Sequence, residues 1–254
     1  MAIRKSDRPT MLLVGNSLML EGIDYPQVQD SLAPQARVVR FPIEQTQYLD
    51  WYYGLRRLFA EGSQPQMVVL CMSAEHLIAS RIRGDYSAYY LFRLADIPQI
   101  RNDVHYDLTK TSSLVLSRFS LFYAGRSPLR NFVLVRTDPA YAGMLQGLAA
   151  PQAHFPPDRE MERIAEARLA VLRELCAAHG ARFLYLLAPG FGPGEAPLVE
   201  AGARSHTDVM VPFHLNELGR DKFRDGFHLN AAGARMFTAR FADLLRHRPW
   251  FARE

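Results

Sequence analysis

The sequence predicts an α/β protein whose central, mainly parallel sheet is covered by helices. Two observations carry that reading. Segments of strand and helix character alternate from Met11 to Met72, and Met67–Met72 (Met-Val-Val-Leu-Cys-Met) is apolar without interruption. A strand buried on both faces reads as a continuous apolar run, whereas a strand with one wet face alternates. The 254 residues are 48% hydrophobic and 22% charged, enough for one large domain with a full core.

Met11–Val14 is the first strand, and it ends abruptly in Gly15-Asn16-Ser17. A strand running into so sharp a turn leaves Ser17 at the mouth of the sheet, where open α/β folds place their ligands. A helix is expected from about Pro26 to Leu32, with the proline in its first turn, then a second strand at Ala36–Phe41. Tyr48–Glu61 reads as an aromatic-rich helix offering Leu49, Tyr52, Tyr53, Leu55 and Leu58 to the core and ending at Gly62. After the buried strand, Ala88–Leu94 and Ser112–Tyr123 look helical, and Asn131–Arg136 fits either a strand or a short helix. This mostly helical stretch, about 78–157, reads as an insertion into a single domain spanning 1–254. Its dense aromatics (Tyr86, Tyr89, Tyr90, Phe92, Phe119, Phe122, Tyr123) suit a substrate-shaping lid, but packing against the main sheet explains them more cheaply. A proline-rich loop, Pro151–Pro157, closes the section. Asp158 is then an N-cap for a long helix to His179. Arg182–Ala188 is the next strand, Pro189–Pro197 a loop at its end, and Asp208–Pro212 a short further strand. Ala231–Arg246 is a C-terminal amphipathic helix with Asn230 as its N-cap.

The net charge of +4 is carried by scattered lysines and arginines, which excludes a nucleic-acid stripe. Cys71 and Cys176 lie far apart among apolar residues and read as reduced core cysteines. Met1–Thr10 is basic and polar, and the apolar segment after it is too short for a signal-peptide core or a membrane span. A cytoplasmic protein without an intrinsic membrane segment is therefore expected. Nothing in the sequence specifies an oligomeric state.

Chemistry concentrates in Asp225-Gly226-Phe227-His228-Leu229-Asn230, just before the last helix. A carboxylate three residues before a histidine, on a turn, can hold one imidazole nitrogen while the other faces a nucleophile as general base. A serine hydroxyl is a weak nucleophile until such a base is in reach. Taken alone, Asp225 and His228 equally fit a loop carboxylate and a half-buried spacer. A metal set joining them to His206 or His214 matches no strong ligand spacing, so neither metal nor cofactor is expected.

Taken together, the two ends of the chain resemble the SGNH (GDSL-type) hydrolase superfamily. Gly15-Asn16-Ser17-Leu18 is similar to its first block, with Asn16 where aspartate is more usual, and Asp225–Asn230 followed by Ala231-Ala232-Gly233 is similar to its last. The resemblance implies a three-layer α/β/α sandwich with Ser17 as nucleophile, His228 as base and Asp225 as its orienter. The middle blocks depart from the family, in which a glycine after the second strand and an asparagine after the third complete the oxyanion hole with the serine N–H. Here the loops read Pro42-Ile43-Glu44-Gln45-Thr46 and Met72-Ser73-Ala74-Glu75-His76, and counting puts Glu75 at the asparagine position. An ionised glutamate cannot donate to an oxyanion. The Ser17 N–H, the hydroxyls of Thr46 and Ser73 and the amide of Gln45 are the candidate replacements.

Three functions follow. One is a serine esterase acting on small O-acyl esters, acetylated carbohydrate first among them. Another is an O-acyltransferase that delivers the same acyl group to a sugar hydroxyl. The third is a non-catalytic binding or scaffold protein that keeps the fold. Arg81, Arg83 and Asp85, after the third strand, read as solvated or locally paired charges.

Overall fold

The computed structural model describes residues 2–4, 8–33, 35–138, 155–190 and 192–248. Five parallel strands, β1 (Thr10–Gly15), β2 (Arg37–Pro42), β3 (Met67–Met72), β4 (Arg182–Leu187) and β5 (Asp208–Met210), pair in the order β2-β1-β3-β4-β5. The helices are α1 (Ser17–Gly22), α2 (Tyr25–Leu32), α3 (Tyr48–Ala60), α4 (Ala74–Ile78), α5 (Asp85–Tyr90), α6 (Ile97–Asp103), α7 (Leu108–Phe119), α8 (Leu121–Thr137), α9 (Asp158–Ala177), α10 (Glu195–Arg204) and α11 (Ala231–Arg246).

The period of two along each strand divides the core between the two faces of the sheet. On one face, Leu12, Val14, Val68, Leu70, Phe183 and Tyr185 pack against α3, α4, α9 and α10 through Trp51, Leu77, Leu169 and Leu198. On the other, Met11, Leu13, Val69, Cys71, Leu184 and Leu186 meet α1, α2 and α11 through Met19, Val28, Phe237 and Phe241. Both faces are apolar, which is why Met67–Met72 shows no alternation. The result is a three-layer α/β/α sandwich.

Strand order reverses between β1 and β3, and their carboxyl ends form the crevice in which open α/β sheets bind ligands. Gly15 permits the close approach there. A Cβ at this position would lie 2.2 Å from the Cys71 carbonyl oxygen.

Several boundaries differ from the sequence reading, each for a local reason. A helix, α1, begins at Ser17 itself, because Asn16 caps it. Asp158 is the first residue of α9 rather than its cap, which is Pro157. The expected Ser112–Tyr123 helix is divided where Ser120 turns extended (φ −133°, ψ 112°) and caps α8 by accepting the Tyr123 N–H at 3.2 Å. Asn131–Arg136 is helical, as the end of α8. Ala88–Leu94 resolves into α5 and a separate 3₁₀ turn, Leu94–Asp96. Of the middle aromatics, Phe92 is fully buried in the core, but Phe119 and Phe122 face solvent at 72% and 76% exposure. Core packing therefore accounts for only part of that cluster. Residues 139–154 of the expected insertion, including most of the proline-rich loop, lie outside the described residues. Both cysteines are buried and free, and burial pushes their thiols up, that of Cys176 to about 12.

Candidate active site

The Asp225–His228 segment is a loop pinched by short antiparallel pairing. Phe223 bridges Leu229, the Arg224 N–H donates to the His228 carbonyl at 2.8 Å, and the Asn230 N–H donates to the Lys222 carbonyl at 2.8 Å. Between them the chain must reverse, and Gly226 supplies the reversal with φ at +80°. Asp225 Oδ1 then accepts the N–H groups of Phe227 at 3.0 Å and His228 at 2.7 Å, an Asx-type turn that fixes the carboxylate. Its other oxygen, Oδ2, faces His228 Nδ1 at 2.8 Å. The three-residue spacing thus lets one carboxylate serve the turn with one oxygen and the imidazole with the other.

Across the crevice, His228 Nε2 lies 3.0 Å from Ser17 Oγ. With Nδ1–H donating to Asp225, Nε2 presents its lone pair to the Ser17 hydroxyl. Asp225 is half exposed, and its desolvation works against the charged form. The His228 N–H, the His228 imidazole and the Phe227 N–H prevail and hold the carboxyl well below the usual carboxylate range. Arg224 adds a tie, pairing with Glu21 of α1 at 2.6 Å and reaching Asp225 at 3.4 Å.

The Ser17 turn is anchored by Asn16, which is fully buried. Its Oδ1 accepts the Leu18 N–H at 3.0 Å and its Nδ2 donates to the Thr46 carbonyl at 3.2 Å. Asn16 therefore joins the β1–α1 turn to the loop after β2. Gln45 in that loop takes φ +60°, the left-handed conformation that favours glycine. Among the described residues, neither the Ser17 nor the Gln45 backbone N–H has a protein acceptor.

The other candidate donors are placed differently. Thr46 is fully buried; its hydroxyl donates to the Ile43 carbonyl at 2.6 Å and accepts Trp51 Nε1–H at 2.9 Å, so it braces the loop from beneath. Ser73 Oγ is engaged with His76 Nδ1 at 2.6 Å. Glu75 lies at the edge of the crevice and pairs with Arg81 at 3.7 Å. Arg83 donates to the neutral Glu44 carbonyl at 2.6 Å rather than to a carboxylate, and Asp85 pairs at 2.7 Å with Arg126 of α8, a partner distant in sequence.

The crevice around Ser17 and His228 is a cavity of about 630 Å³, walled by Gln45, Gln47, Glu75, His76, Arg81 and Phe227. An adjoining apolar cavity of about 200 Å³ lies beyond Phe227 and Glu75, with Leu18, Leu187 and Phe213 among its walls. Burial, aided by the positive charge of Arg81, lowers the His76 imidazole to about 4, so His76 is neutral near pH 7. Sequence reasoning missed Gln47, His76 and Phe227 as wall residues and Arg224 as the tie. Phe227, inside the Asp225–Asn230 motif, Arg224, adjacent to it, and His76, next to Glu75, each carried a signal in position; Gln47 carried none. Among the described residues no cluster of three or more His, Cys, Asp or Glu side chains forms a metal-binding group.

No protein-family model matches the chain, and no curated protein matches it. Among solved structures it is similar to TesA, at 17% identity over 95% of this chain and 99% of that one, with a TM-score of 0.47. It is also similar to a GDSL-like lipase from Bacteroides thetaiotaomicron, at 10% identity over 97% of this chain and 92% of that one, with a TM-score of 0.48.

Proposed function

We propose that the protein is a serine esterase that passes the acyl group of a small O-acyl ester first to Ser17 and then to water. The observation that carries the reading is the continuous chain from Ser17 Oγ through His228 to Asp225, at 3.0 Å and 2.8 Å. His228 Nε2 takes the Ser17 proton as Oγ attacks the ester carbonyl, and the carbonyl oxygen gains the charge. The free N–H groups of Ser17 and Gln45 are the donors for that oxyanion. Collapse expels the alcohol, which receives the proton from His228. Water, deprotonated by the same imidazole, then releases the acyl group and restores Ser17.

The polar wall of Gln45, Gln47, Glu75 and Arg81 suits an alcohol portion rich in hydroxyls, and acetylated carbohydrate is the proposed substrate class. A second reading rests on the size of the crevice. About 630 Å³ leaves room for an acceptor beside the acyl group, as an O-acyltransferase requires. Hydrolysis of an acetyl ester by the purified protein, followed with and without candidate sugar acceptors, tests both. Release of acetate that depends on Ser17 supports the esterase. Acyl-sugar formed at the expense of acetate supports the transferase. No Ser17-dependent turnover in either assay contradicts both.

A further inference from the structure

Ten of the sixteen large apolar side chains exposed among the described residues lie on α7 and α8, helices of only 12 and 17 residues. They are ordered. Leu108, Val115 and Phe119 occupy positions i, i+7 and i+11 of α7, and Phe122, Leu129 and Val133 repeat that spacing on α8. Each set lies along one side of its helix. Apolar stripes of this extent mark an interaction surface.

The charges narrow the choice of partner. Residues 108–137 contain Lys110, Arg118, Arg126, Arg130 and Arg136 and no aspartate or glutamate. Arg126 is paired with Asp85, but Arg130 and Arg136 are exposed, and neither has an acidic partner among the described residues. The Arg136 guanidinium lies 3.9 Å over the ring of Phe132, an exposed apolar side chain of the same helix. A second copy of this face would bring like charges together, because a two-fold interface sets the same patch against itself. No helix among the described residues is long and apolar enough to cross a membrane. Apolar stripes bordered by arginines, on helices too short to span, are the pattern of a helix pair lying in a lipid interface.

We propose that α7 and α8 dock the protein on the surface of an anionic bilayer, with Phe119, Phe122 and Leu129 at the acyl boundary and Arg130 and Arg136 at headgroup phosphates. The docking does not depend on the chemistry at Ser17. Cosedimentation of the full chain with phosphatidylcholine–phosphatidylglycerol vesicles, and with phosphatidylcholine alone, tests it. Wild type should bind the anionic vesicles, less so as salt rises. F119S/F122S and R130Q/R136Q should each weaken that binding about tenfold or more while circular dichroism stays native. Failure of the wild type to bind anionic vesicles, or unchanged binding by both variants, overturns the proposal. So does a concentration-dependent dimer that F119S/F122S dissolves, because the stripes would then face a second copy.

Discussion

Asn16 accepts from Leu18 with one side-chain atom and donates to the Thr46 carbonyl with another, and aspartate could do only the first. Asn16→Asp would set a buried carboxylate against a carbonyl oxygen. Unfolding in urea should show a loss of about 1–3 kcal/mol, the cost of a buried polar group left unpaired, and turnover should fall as the Gln45 loop loosens. A stable, fully active Asn16→Asp protein would remove this link between the two loops. Asp225 permits a cleaner separation. Asparagine there keeps an acceptor for the turn N–H groups but presents no carboxylate to His228 Nδ1. Asp225→Asn should therefore fold normally and lose about 10⁴-fold in kcat, the scale seen when a triad loses its orienting carboxylate. A steady-state assay beside a thermal melt reads both. The motif residues were legible in the sequence because their chemistry depends on residue type and short spacing. Gln45 was legible only as a side-chain amide donor; the role of its backbone N–H was not, because nothing about a glutamine announces a backbone at φ +60°.

At the level of elements, the approach of β1 to β3 is what sets Ser17 in the crevice, and it depends on Gly15. A methyl group there meets the Cys71 carbonyl, which is backbone and cannot swing aside. Gly15→Ala should cost about 1–3 kcal/mol or more by overpacking and should lower activity beyond the loss of folded protein; equilibrium unfolding with active-site titration separates the two. Asp50 in α3 is fully buried and accepts the N–H groups of Gln47 and Arg83, tying α3 to the segment after α4. Burial outweighs these bonds and raises its carboxyl to about 6. The folded state then holds the proton more tightly than the unfolded chain, so stability from this group is fully present below about pH 4 and declines as pH rises toward 6. Relative to Asp50→Asn, wild type should lose on the order of 2–3 kcal/mol between those limits, measured as the pH dependence of the difference in unfolding free energy. A difference that stays flat with pH would refute it. β1, β3 and β4 were legible because each carries its own apolar run. The six-residue α1 and the break at Ser120 were not, since a single side-chain cap decides each.

Across the whole molecule, the parallel order β2-β1-β3-β4-β5 brings together residues more than two hundred positions apart, Ser17 after β1 and His228 before α11. Phe241 of α11 is fully buried against the face of the sheet that carries Met11, Leu13 and Cys71. Phe241→Ala should cost about 3–5 kcal/mol, read from the urea midpoint. The alternation of strands and helices was enough to predict a covered parallel sheet. It could not predict the surface of α7 and α8, since apolar residues at helical spacing look alike whether they face a core or solvent. The proposed activation of Ser17 by His228 is open to a direct test, labelling with a fluorophosphonate. Mass spectrometry should find wild type modified at Ser17, with Ser17→Ala and His228→Ala both unlabelled though folded. Label absent from folded wild type, or retained undiminished in His228→Ala, would contradict the account.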